Sequence, residues 1–381
     1  MASCELSSPI KLDNACTLPA TRPMSKGSLS PSLLEEKDKN ATNTDVMASS
    51  PSIERAKRLP PTPPLHKRQR RPRSVLATAK SALRTLFQQS PLVLNEDPES
   101  DGEHDFIEIS RSGMLRIAQE VRSKIQELYG TALNVDEETG KVTVDYVRVV
   151  HSDDFARYLQ AVKKLRYVDP TRLDHTERTA FFLNLYNALM IHGVVRLPRP
   201  QNAFQRLSIF DTAAYNIGGR IYTLNDIEHG VLRANKGNGR VFAMPQFDEG
   251  DARAQCALPK VDPRIHFSLN CACRSCPSIR FYSPENLNEA MDAATRAFLL
   301  DVEIDMERRE VKISQILKWY QDDFADGGMY EVLKWTLPYL EEEKKTQLQQ
   351  LLADHEAGKA WLRVTYANYD WSLNDSFFWW Q

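Results

Sequence analysis

A chain of 381 residues with 42% hydrophobic side chains can bury the core of one large domain or two ordinary ones. Its formal net charge of -2 at pH 7 argues against a polycationic nucleic-acid binder. No stretch approaches the roughly eighteen consecutive apolar residues of a spanning helix, and the opening MASCELSSPIKLDNACTLPA has acids and no apolar core, so neither a transmembrane segment nor a secretory signal is expected.

Residues 1–104 are rich in Ser, Pro, Thr and charge and lack sustained apolar periodicity, which predicts a disordered N-terminal arm. Ser/Thr-Pro steps at Ser8, Ser30, Ser50, Thr62 and Ser90 suit proline-directed phosphorylation, and LPPTPPL favours polyproline II. Within residues 51–90, ten Lys/Arg face the single acid Glu54, centred on HKRQRRPR. The following SVLATAKSALRTLF places Val75, Ala79, Leu83 and Leu86 on one helical face. Protein partners of the arm, and an anionic or membrane-surface contact by residues 66–87, are the readings this pattern supports; solvated charge is the plain alternative. With no export signal, the six cysteines are expected reduced, in the cytoplasm or the nucleus.

From Asp105 to Gln381 the chain reads as one folded unit. SGMLRIAQEVRSKIQELYG predicts a helix ending on Gly130, and SDDFARYLQAVKKLRYV a second one capped by Ser152. YNIGGRIYTL reads as a hairpin turning on Gly218 and Gly219, and VEIDMERREVKIS as another. No dinucleotide or Walker loop follows a strand, so no cofactor is expected. The fold class expected is α+β: a single helix-rich domain with a small, mainly antiparallel sheet packed on a buried central helix.

That central helix is DHTERTAFFLNLYNALMIHGVVRLP, with Asp174 and Glu177 spaced as a capping box and Pro198 closing it. It is apolar on every side except at Asn184, Asn187 and His192, and a buried amide without partners costs about 1–3 kcal/mol. The two asparagines therefore either pin backbone of a neighbouring segment or orient a catalytic imidazole. In LNDIEHGVLR, Glu228 beside His229 offers acid–base chemistry, or simply a helix start capped by Asn225.

RIHFSLNCACRSCPS holds one histidine and three cysteines, which invites comparison of a metal site, a nucleophile and a sulfur-rich piece of core. Read as a strand, RIHFSLNC puts His266 on one face and Cys271 on the other with Phe267 and Leu269. A shared metal site ranks last on that geometry, and no metal is expected. A Cys271 or Cys276 nucleophile with His229 or His266 as base, oriented by Asn184 or Asn187, is the intermediate reading.

The blocks AFFLNLYNALMIHG, YNIGGRIYTLNDIEHGVLR, DPRIHFSLNCACRSCPSIRFYSPENLNEAMDAATRAFL, ISQILKWYQDDF and YDWSLN resemble, in this order, the domain of unknown function 547 family over residues 140–375. The resemblance implies no established reaction. It places Asn184, Asn187, Glu228, His229 and His266 in the family's shared pattern; Cys273 and Cys276 fall outside it, so it implies neither a zinc site nor a Cys276 nucleophile. Plant relatives have a leucine-zipper region ahead of the domain, but the arm here lacks heptads, so no zipper partner is implied.

Two functions follow. The first is an interaction or scaffold module with a regulatory basic tail. The rival is a hydrolase or transferase using His229 or His266, with or without a cysteine, oriented by Asn184 or Asn187. Convergence of Asn184, Glu228, His229 and His266 in one pocket would favour the enzyme, and burial on backbone partners the scaffold.

Overall fold

The computed structural model describes residues 90–96, 109–135, 142–198, 203–237 and 245–376. The basic segment 66–87, the Ser/Thr-Pro steps up to Thr62 and the closing FFWWQ lie outside these residues.

The first strand, β1 (Leu92–Val93), pairs in parallel with Ala213 and Ala214. Asn95 then donates to the carbonyls of Val162 and Asn216 at 3.1 and 2.9 Å. The folded part thus reaches back into the stretch read as arm, because two apolar residues and one amide find partners too distant in sequence for any periodicity to show.

Helix α1 (Arg111–Ala132) is capped by Ser110 and runs past Gly130, so this glycine does not end it. Strands β2 (Leu133–Val135) and β3 (Val142–Val144) pair antiparallel. Two helices follow, α2 (Tyr146–His151) and α3 (Asp153–Lys163), and Ser152 accepts the Phe155 N–H at 3.1 Å to start the latter.

Helix α4 (His175–Arg196) is the buried centre. Asp174 and Glu177 close the capping box with reciprocal 2.9 Å bonds, and the helix stops two residues before Pro198. Phe182, Leu183, Ala188 and Leu189 are fully buried, and each large apolar side chain so placed contributes about 1.5–3 kcal/mol.

After α5 (Ala203–Thr212), strands β4 (Ala213–Ile217) and β5 (Arg220–Thr223) form the expected hairpin. Gly218 sits at φ 58°, where a Cβ would also strike the Val168 carbonyl.

Residues Asp226–Leu232 then form a π-helical turn. Asn225 does not cap it; Thr223 and Asp226 exchange side-chain to backbone bonds across its start, at 3.0 and 3.1 Å. Such wide turns recur at functional sites because they push side chains off the regular helical register.

RIHFSLNC is not a strand. Pro263–Phe267 is a 3-10 turn that Asp262 caps through the Arg264 N–H, at 3.1 Å. Pro263 with an acid before it starts a turn, which overrode the alternation of polar and apolar residues on which the strand was expected.

The remainder is α6 (Leu287–Leu299), β6 (Glu303–Asp305), β7 (Glu310–Ile313), α7 (Gln315–Trp319), α8 (Gln321–Phe324), α9 (Met329–Thr336), α10 (Glu342–Glu356) and β8 (Arg363–Tyr366). The class is α+β and helix-rich, as expected. The strand pairing is mainly antiparallel, as expected, with the β1–β4 and β7–β8 pairs parallel, but the one sheet expected is three small ones, β1-β4-β5, β2-β3 and β6-β7-β8. One core surrounds α4, and a second lies among α6 to α10 and β7, where Phe267 is inserted. Among the described residues no helix is long and apolar enough to cross a membrane.

Candidate functional site

The π-helical turn, the 3-10 turn and the α7–α8 junction meet around a cavity of about 300 Å³ lined by Glu228, His229, His266, Cys271, Tyr186 and Tyr320. The wide turn buries Glu228 and His229 side by side, and the capped 3-10 turn aims His266 at the same place.

His266 Nε2 lies 2.9 Å from Asp323 Oδ2. A carboxylate in this position only accepts, so Nε2 carries the proton and Nδ1 keeps the lone pair. Asp323 is completely buried at its side chain and is clamped by Arg233 Nε at 2.5 Å and Lys236 Nζ at 2.9 Å. Burial by itself would raise the Asp323 carboxyl, but the bonds from His266 and Arg233 outweigh it and hold the group well below the usual carboxylate range. The His266 ring stacks on Tyr320 at 3.9 Å between centroids, and the Arg233 guanidinium lies over the same Tyr320 ring at 4.9 Å.

His229 has the same tautomer but is held by its other nitrogen. Arg233 Nη1 donates to its Nδ1 at 2.9 Å, which leaves the proton on Nε2. Burial lowers the His229 imidazole to about 4, with the nearby Glu228 only partly offsetting it, and burial lowers His266 as well. Both rings are therefore neutral near pH 7. Among the described residues no hydrogen bond reaches His229 Nε2 or His266 Nδ1, so the cavity offers one donor N–H and one basic nitrogen.

Glu228 accepts from Tyr320 Oη at 2.7 Å and from Tyr186 Oη at 3.1 Å. Burial alone would raise its carboxyl; His229, the Tyr320 hydroxyl and Arg233 together bring it below its ordinary value. Opposite this polar floor stands an aromatic wall, in which the Trp319, Tyr369 and Trp371 rings contact one another at 4.7–5.3 Å.

The two asparagines do other work. Asn184 donates to the Tyr282 carbonyl at 2.7 Å and accepts the Tyr282 N–H at 3.0 Å, and it lines a separate hollow between α1 and α4. Asn187 binds the Ser268 carbonyl at 3.1 Å and the Asn270 N–H at 2.9 Å, clipping the segment after the 3-10 turn to α4. His192 Nδ1 meets Tyr215 Oη at 3.0 Å, away from the cavity. Of the residues singled out in the sequence, Glu228, His229, His266 and Cys271 share the cavity, whereas Asn184 and Asn187 bind backbone.

Cys271 faces the cavity, but no hydrogen bond joins its sulfur to either imidazole; its nearest polar neighbours are the sulfurs of Cys276 and Cys273 at 2.7 and 3.6 Å. Sequence reasoning missed Asp323, Tyr320, Arg233 and Tyr186. Tyr320 and Asp323 stand in the quoted ISQILKWYQDDF block, and Arg233 lies one helical turn after His229, so an acid and a cation with no evident surface role were the available signal.

No curated protein and no solved structure matches the chain. Residues 170–299, within the stretch of the sequence resemblance, match the family model described as Protein of unknown function, DUF547.

Proposed function

We propose that the chain is an acid–base enzyme, a hydrolase or group transferase, with His266 as its base and His229 as its hydrogen-bond donor. The observation that carries this reading is the pair of complementary imidazoles: Asp323 fixes the Nε2–H tautomer of His266, Arg233 fixes that of His229, and the remaining nitrogens lack protein partners among the described residues. Two buried neutral histidines held in opposite roles are a costly arrangement for packing alone.

In this reading His266 Nδ1 takes the proton of a water or an acceptor hydroxyl as it attacks. The buried Asp323 carboxylate stabilises the imidazolium that forms. His229 Nε2–H donates to the oxygen on which charge develops, and its low basicity keeps it a neutral donor. Glu228 holds the hydroxyl of Tyr320, whose ring supports His266. The aromatic wall accommodates a planar or apolar part of the substrate. Cys271 takes no part in the attack, since its sulfur is engaged with two others.

Turnover of a panel of esters, amides, phosphoesters and glycosides by the full chain tests this. His266→Gln is expected to lower kcat by about 10²–10⁴-fold, the usual span for a general base, with little change in KM. Equal turnover by the wild type and His266→Gln on every substrate hydrolysed would overturn the reading. Protein partners of the arm, an anionic-surface contact at residues 66–87 and cytoplasmic or nuclear residence rest on the sequence of the N-terminal arm; a scaffold role rests on that arm and on Asn184 and Asn187 binding backbone instead of an imidazole, whereas the cavity itself favours the enzyme.

A further inference from the structure

The loop after the 3-10 turn gathers sulfur for which neither the core nor the acid–base reading has a use. Cys276 Sγ lies 2.7 Å from Cys271 Sγ and 2.8 Å from Cys273 Sγ, and the third pair is 3.6 Å apart. All three ligand atoms fall within 4.8 Å of one another. Two of the separations are shorter than the contact distance of unbonded sulfurs, yet longer than the ~2.0 Å of a disulfide. A single disulfide would in any case leave one thiol over.

The backbone is arranged around this cluster. Ala272 sits at φ 58°, a left-handed conformation that a non-glycine residue holds only where its surroundings impose it. Asn270 accepts the Ala272 N–H at 2.8 Å and donates to the Pro277 carbonyl at 2.6 Å, which bends the chain at the start of the sulfur loop. The Cys271 N–H points at Cys276 Sγ at 3.2 Å, and backbone donation to sulfur is the support that thiolate ligands receive from the residues around a metal. The C-terminal segment closes over the loop, with the Arg274 N–H bound to the Ser372 carbonyl and the Asn374 N–H to that of Ala272. On the remaining side Tyr369 Oη lies 3.4 Å from Cys273 Sγ and 3.6 Å from Cys276 Sγ.

We propose that Cys271, Cys273 and Cys276 form a three-thiolate site for a thiophilic cation, zinc(II), with Tyr369 Oη closing the fourth side. At a Zn–S length of ~2.3 Å, tetrahedral geometry sets the sulfurs about 3.8 Å apart. The Cys271–Cys273 pair already stands near that spacing, and Cys276 has only to withdraw by about 1 Å. His266, the fourth ligand that the sequence suggested and strand geometry rejected, is committed to Asp323 and takes no part. Binding releases the thiol protons and ties the loop that forms one edge of the cavity to the C-terminal segment. The site does not depend on the acid–base reading.

The full chain, purified under reducing conditions and dialysed after exposure to zinc(II), should hold stoichiometric zinc by elemental analysis. Its native mass should show an excess that denaturation removes. Replacing zinc by cobalt(II) in the wild type should give the near-ultraviolet thiolate charge-transfer band and the visible bands of a tetrahedral ion, a readout that needs no variant. Cys276→Ser and Cys273→Ser should lose the metal, while His266→Gln should retain it and lose only turnover. A zinc-free protein whose three thiols all label rapidly would overturn the proposal. So would a mass deficit of two hydrogens showing a disulfide among the three cysteines, or zinc that survives both serine substitutions.

Discussion

Asp323 accepts the Nε2–H of His266, 57 positions earlier in the chain, at 2.9 Å, and the same carboxylate holds two cations. One buried acid thereby fixes a tautomer and neutralises Arg233, the residue that fixes the other imidazole. Asp323→Asn removes the charge at nearly constant shape. It leaves Arg233 buried without its counter-ion, which should cost about 3–5 kcal/mol of stability in chemical denaturation. If the variant still folds, kcat should fall by at least about 10²-fold with KM nearly unchanged, because the amide can present its oxygen or its NH₂ to His266 and no longer stabilises an imidazolium. A stable, fully active Asp323→Asn protein would sink both statements.

Tyr320→Phe separates the hydroxyl from the ring. The stack on His266 and the face beneath Arg233 survive, while Glu228 loses its 2.7 Å donor. A hydrogen bond to a buried carboxylate is worth about 1.5–3 kcal/mol, so a loss of that order is expected. The Glu228 carboxyl should also titrate at higher pH, since a donor that holds its charged form is gone. Carbon-detected titration of the glutamate carboxyls in wild type and variant measures this directly.

How much of this was legible in the sequence depends on range. The capping box of α4, the Ser152 cap and the Gly218-Gly219 hairpin are written in neighbouring residues, and each formed as read. Glu228, His229 and His266 could be singled out because polar groups in apolar surroundings are conspicuous. Their partners could not, because Asp323 stands in a four-residue helix and Tyr320 at the junction before it, with no periodicity to point at the cavity. The strand read through His266 failed for a local reason, the Asp262-Pro263 turn, and that error carried over to the cysteines. A turn gathers Cys271, Cys273 and Cys276 where a strand would have dispersed them.

Acid should destabilise the fold in a defined window. Burial lowers His229 to about 4 and His192 to about 3, whereas both titrate near 6.5 in the unfolded chain. Between pH 6.5 and about 4 the unfolded state binds more protons at these positions, so stability falls as pH falls, by up to ~1.4 kcal/mol per pH unit for each histidine. Asp323, held below its ordinary 3.8, adds its own loss only at still lower pH. Denaturation midpoints measured from pH 7.5 to 4.5 should decline steadily below pH 6.5; a flat profile would mean that the imidazoles are not buried neutral. His192→Gln, remote from the cavity, should reduce the slope without changing turnover.

Gly230 supplies the last test, because it follows His229 inside the π-helical turn and its φ is unexceptional. What requires glycine here is space. A Cβ at this position would penetrate the Phe247 ring, itself buried and bound at its backbone N–H by Asn235 Oδ1 at 2.7 Å. Gly230→Ala must therefore displace either the ring or the turn, and overpacking of this kind costs about 1–3 kcal/mol. If the turn moves, His229 moves with it, and turnover should fall together with stability. Pairing Gly230→Ala with Phe247→Leu, which vacates the clashing edge of the ring, should restore most of the activity even though the smaller side chain leaves a cavity. Rescue of turnover without full rescue of stability would identify the position of His229, rather than the general integrity of the fold, as what the glycine protects.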